Sequence, residues 1–146
     1  MKTWILLFSA SLLLCGAVLL RPSPGEAGDN TLVIIANKSA PVSSITAAEV
    51  KQIFLKQRTN WPGGGKIVVM NAKSGSPARQ AFQSKVLGMN GSTEKAFWQE
   101  QKIKKGVTPP PEISNTQKGV FSLKMSISYC LKSQYKAGTG KVLLSL

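Results

Sequence analysis

Histidine is absent from the 146-residue chain, and with it go the usual general base and the commonest metal ligand. Cysteine is scarce as well, since two residues, Cys15 and Cys130, cannot build a four-ligand zinc site. Hydrolase triads that use histidine, and zinc enzymes, fall away first. Ser, Lys, Tyr and Glu are all present, but no nucleophile–base spacing stands out. The chain is therefore read as a non-enzyme, with no catalytic residues, no metal and no cofactor. Acidic residues are few, 6 against 19 Lys+Arg, which leaves a formal charge of +13. That excess asks for an anionic partner, but charge alone does not separate nucleic acid, phospholipid head groups and small oxyanions. The length allows one domain.

What is present begins with a leader. Lys2 is followed by an almost wholly apolar run, Trp4 to Leu20, which Arg21-Pro22-Ser23-Pro24 breaks. Gly25-Glu26-Ala27 then offers small residues ahead of a cut. This is the layout of a secretory signal peptide at residues 1–27, and it predicts a periplasmic or secreted protein. The alternative is an uncleaved anchor at the lower limit of a membrane span. Lipidation at Cys15 is rejected, because Leu14 stands where a small residue is required. The remaining domain, residues 28–146, then has no transmembrane segment. It keeps one cysteine, Cys130, so no disulfide is available, and a strand-like setting predicts that this thiol is buried.

Along that domain, Leu32–Ala36 is a continuous apolar run, the pattern of a strand covered on both faces. Thr46-Ala47-Ala48-Glu49 has capping-box spacing and opens a helix that buries Val50, Ile53 and Phe54. Lys66–Met70 reads as a second buried strand. Ser76 and Pro77 are placed as N-cap and first residue of a helix over 78–87, with Ala78, Ala81, Phe82 and Val86 inside. The same helix would carry Arg79, Gln80, Gln83 and Lys85 outside. Further helices are predicted near 93–101 and from the Ser114–Gln117 cap to about Lys124, with a loop over 102–111 between them. Short strands at 127–130 and 142–144 close an α/β layer fold.

The order of these residues is similar to that of a known family. The run includes Val33-Ile34-Ile35-Ala36-Asn37, Ile45-Thr46-Ala47-Ala48-Glu49-Val50, Trp61-Pro62-Gly63-Gly64 and Arg79-Gln80-Ala81-Phe82. It continues through Phe97-Trp98, Gly106 with Pro109-Pro110, and Ser126-Ile127-Ser128-Tyr129. It resembles the phosphate-binding-protein-like family, the type II periplasmic receptors of phosphate ABC transporters, and most of all their short single-lobe members. The resemblance implies an α/β fold: a single lobe of the receptor type, with a small mixed sheet flanked by helices. It also implies an oxyanion corner at Asn71–Ala78, where Ser76 matches the family's serine and Ser74 and Lys73 stand by it. Arg79 would add charge from the next turn. The corner departs from the family in lacking its arginine, in Ala78 for threonine, and in Pro77, which removes a donor. Met125 and Ser128 stand where glycines are usual.

Read from the residues, a helix start attracts an anion through unpaired N–H groups, but capping its own helix is the commoner role for Ser76. The dipole is worth ~0.3–1 kcal/mol and each charge-assisted bond roughly 1.5–3 kcal/mol, against at least ~4 kcal/mol for immobilising the ligand. One lobe alone then reaches about millimolar affinity. Two functions remain open. The first is a solute-binding-like or accessory module for phosphate or another oxyanion, its missing lobe supplied by a transporter component or by self-association. The second is a basic protein docking on anionic envelope surfaces or on an acidic partner through Lys102, Lys104 and Lys105. Those lysines can equally be a solvated helix end that complements the dipole. Nucleic acid is disfavoured, because adjacent Phe97 and Trp98 diverge on a helix and form no stacking platform.

Overall fold

The centre of the molecule is β1 (Leu32–Ala36), every residue of which is at most 2 % exposed. In the computed structural model, which describes residues 30–146, β1 lies between two antiparallel partners. They are β5 (Ser126–Leu131) and β6 (Lys141–Ser145). A short β2 (Val68–Val69) joins β5 in parallel, giving a mixed sheet of order β2-β5-β1-β6. The expected signal peptide and Cys15 lie outside the described residues.

Alternation along β1 sorts its side chains to two cores. Leu32, Ile34 and Ala36 face the larger cluster, under α1 (Ala47–Phe54) and α2 (Pro77–Phe82). A single wider turn, Gln83–Leu87, continues α2. Phe82 stacks on Tyr129 with ring centroids 4.0 Å apart, and Phe54 lies 4.6 Å from Phe82. Val33 and Ile35 face the smaller cluster, with Met70, Val120 and Cys130, under α4 (Thr116–Ser122). Gly119 allows α4 to come this close, since a Cβ there would meet Ile113 Cδ1 at 2.4 Å. Cys130 is buried, and desolvation pushes its thiol up to about 11. Met125 adopts φ 59°, the left-handed backbone that a glycine would take without strain.

Several local expectations meet a different structure. Lys66–Met70 is not one buried strand: β2 is two residues at the sheet edge, with Val68 37 % exposed. The chain then crosses to β3 (Asn71–Ala72), which pairs in parallel with β4 (Glu112–Ile113), an unexpected strand directly after the proline-rich stretch. The expected loop from Lys102 is still helix, because α3 runs from Gly91 to Lys105 and stops at Gly106. Ser114 is not the cap of α4. Asn115 is, its side chain accepting from the Lys118 amide at 3.0 Å. Trp61 is buried, and its indole N–H donates to the Met125 carbonyl at 3.0 Å. No described helix is long and apolar enough to cross a membrane.

Candidate functional site

The corner expected to hold an anion is made where β3 ends and α2 begins. Gly75, at φ 77°, turns the chain, and the Ser76 hydroxyl accepts from the Arg79 amide at 3.3 Å. Pro77 follows as the first helical residue, where its missing N–H leaves no gap. Ser76 therefore spends its hydroxyl on capping.

Ser74 faces elsewhere. The β3–β4 register sets Asn71 opposite Glu112, so the Glu112 side chain reaches the loop after β3. Its carboxylate accepts from the Ser74 amide at 3.1 Å and also from the Ser74 hydroxyl. Arg79 Nη1 lies 3.8 Å away. The Ser74 hydroxyl above all, then its amide, Arg79 and Lys73, hold the Glu112 carboxyl below the usual carboxylate range against some desolvation. The groups that point at an anion here thus already point at one, and it belongs to the chain itself.

Arg79 corrects the expectation of an outward helix face. Its side chain is 5 % exposed, as is that of Glu94 from α3. Nη2 and Nε of Arg79 donate to the two Glu94 oxygens at 2.6 and 3.3 Å, and Nη1 donates to the Ala72 carbonyl at 3.0 Å. Gln83 Nε2 adds a bond to Glu94 at 2.6 Å. Below, the Tyr129 hydroxyl donates to Asn71 Oδ1 at 3.1 Å and accepts from the Ala72 amide at 3.3 Å. Burial holds the Tyr129 phenol well above its ordinary range. The inward turn has a simple cause: a bidentate carboxylate partner within reach makes burial of a guanidinium tolerable. This network staples α2 to α3 and both to β3.

An open groove of about 750 Å³ runs over it, between α2 and α3, lined among others by Ser74, Gln80, Gln83, Trp98 and Lys102. Trp98 Nε1 on its wall is buried without a hydrogen-bond partner. Lys73, Ser74 and Ser76 are thus brought to one corner, with Arg79 beneath it. The Lys102–Lys105 cluster is dispersed over the last turn of α3. Lys102 faces the groove, Lys104 pairs with Glu100, and Lys105 sits at the helix end. Phe97 and Trp98 meet edge to face at 78° and present no platform.

Glu94, Glu112 and Gln83 were not legible as site residues. Glu94 lies 15 positions from Arg79 and Glu112 lies 38 from Ser74, so no local spacing joins them. The available signal was scarcity. The described residues contain four carboxylate side chains, Glu49, Glu94, Glu100 and Glu112, and each is paired with a cation.

No protein-family model matches the sequence, and no curated protein matches it. Solved structures do match in fold. A phosphate ABC transporter substrate-binding protein with bound phosphate from Clostridium perfringens aligns at 23 % identity and TM-score 0.56, over 77 % of this chain and 43 % of that one. An ABC-type phosphate transport receptor from Vibrio cholerae aligns at 17 % identity and TM-score 0.57, over 77 % and 44 %. PstS from Borrelia burgdorferi aligns at 17 % and 0.52, over 68 % and 40 %. The chain spans less than half the length of each. It has the mixed α/β fold of part of such a receptor, a small mixed sheet flanked by helices, in agreement with the resemblance read from the residues.

Proposed function

We propose that the chain is a non-enzymatic, secreted or periplasmic binding module on one lobe of the solute-receptor fold. It serves as an accessory part, not as a free-standing phosphate scavenger. The observation that carries this reading is the Glu112 carboxylate on the Ser74 amide and hydroxyl. It supports both halves of the proposal: the corner is built for an oxyanion, and an incoming oxyanion must displace a tethered one. Ser74 and Lys73 would contact that ligand directly. Ser76 and Arg79 would first have to leave the helix cap and the Glu94 pair. Phosphate or a similar oxyanion is then a weak ligand of this lobe alone, and full affinity needs a second lobe, from a transporter component or by self-association.

Isothermal titration of the full chain with phosphate and sulfate tests this. The expected outcome is no saturable heat below several millimolar, with measurable phosphate binding appearing in Glu112→Ala. Submillimolar binding by the unmodified protein would overturn the accessory reading, and an inert Glu112→Ala variant would remove the corner as an anion site.

A further inference from the structure

The far face of the sheet carries a different surface. At the end of α4, Phe121 is 64 % exposed, and Leu123, two residues on, is 45 % exposed. This is not a fraying helix end. Asn37 Nδ2 donates to the carbonyls of Val120 at 2.7 Å and Phe121 at 3.2 Å, and the Val120 side chain is fully buried. Gln117 ties the neighbouring loop to α4: its amide N–H donates to the Gln134 carbonyl, and its oxygen accepts from the Lys136 amide and the Thr139 hydroxyl. The ring is held outward by a braced backbone.

Phe121 lines two open hollows, of about 390 and 230 Å³, and so stands between them. Lys38 and Lys124 line the first, and Lys118 and Lys136 line the second. All four lysines are exposed, and no glutamate or aspartate lines either hollow. The four carboxylates of the described residues are engaged elsewhere.

We infer that this face docks on an anionic phospholipid bilayer, with Phe121 entering the boundary between head groups and acyl chains while Lys38, Lys118, Lys124 and Lys136 meet lipid phosphates. A protruding ring inside a cationic ring needs an apolar layer beneath an anionic one, and a bilayer offers both along its whole front. A second copy of the chain would bring its own lysines and be repelled. An acidic protein would match the charge, and a failure to bind anionic vesicles would favour it instead. Each lysine near such a surface strengthens binding roughly fivefold, so the four contribute several hundredfold, and the ring adds about tenfold. Neither signal suffices alone, and together they give reversible attachment.

The test is co-sedimentation of the full chain with phosphatidylcholine vesicles, with and without a phosphatidylglycerol fraction. The apolar run at residues 4–20 is common to every variant, so differences between variants are the readout. We expect clearly stronger binding to the anionic vesicles than to the neutral ones, and the difference should shrink with added salt. Phe121→Ala should weaken it about tenfold, and Lys118→Gln with Lys124→Gln roughly thirtyfold. The matched control, Lys51→Gln on α1 with Lys95→Gln on α3, removes the same charge away from both hollows and should cost no more than about threefold. Equal loss in the control would assign the binding to net charge and overturn the proposal. So would equal binding to neutral vesicles, no binding at all, or a Phe121→Ala variant that binds like the parent.

Discussion

Two faces of one sheet handle the same excess of positive charge in opposite ways. Under α2 and α3, Arg79 is buried and paired with both carboxylate oxygens of Glu94, while Ser74 and Lys73 are answered by Glu112. Beyond α4, four lysines surround Phe121 with no carboxylate among them. The difference teaches where the molecule uses its few acids. They close the corner expected to receive a ligand and leave the opposite face unanswered. The first region is organised for stability, and the second for meeting something outside the chain.

The largest effect is expected from opening the closed side. Glu94→Ala strands a guanidinium in the interior and should destabilise the protein by about 3–5 kcal/mol, seen as a drop in Tm of roughly 10 °C or more. If the double variant Arg79→Met with Glu94→Leu recovers most of that loss, the pair is a structural staple. A single-variant loss below about 1 kcal/mol would refute the staple. Ser76→Ala should cost about 1 kcal/mol through the lost cap, and denaturant unfolding reads it. Because Ser76 already spends its hydroxyl on α2, the weak phosphate heat of Glu112→Ala should survive adding this change. Its disappearance would make Ser76 a ligand.

Glu112 should make a smaller, pH-dependent contribution. Its folded pKa lies below the unfolded value, so the stability it adds is complete above that unfolded value, near pH 4–5, and is lost as pH falls through the folded one. The side chain is 42 % exposed, so solvent screening holds the amount under about 1 kcal/mol. Acid unfolding of Glu112→Gln should be correspondingly shallower, and an unchanged acid limb would argue against the contact. Smallest of all, Phe121→Ala should leave stability within about 0.5 kcal/mol. Having no energetic part in the fold while weakening vesicle binding is the signature that separates the two faces.

Local chemistry made much of the fold legible. The Thr46–Glu49 capping box forms in both directions, at 3.2 and 3.0 Å. Ser76 and Pro77 open α2, and the apolar run at Leu32–Ala36 becomes the central strand. These signals act over three or four residues, and nothing distant competes with them. The errors arise where a distant partner decides. Val68 sits at an edge because only β5 pairs with it, and β4 exists only because β3 lies beside it. Arg79 has the helical phase of an exposed residue and is buried because Glu94 meets it.

The candidate site was half legible for the same reason. Ser74, Ser76 and Lys73 gather at one corner, as a turn ahead of a helix start requires. That the corner is already filled depends on Glu112, which no short-range pattern connects to it. The sequence by itself determined the Thr46 and Ser76 caps, the central strand, the cationic excess and the scarcity of acids, because each is a property of neighbouring residues or of composition. Only the tertiary structure decided which cations those four glutamates neutralise and which lysines they leave bare around Phe121. Pairing of charges depends on distances in space, and the chain sets those distances only when it folds.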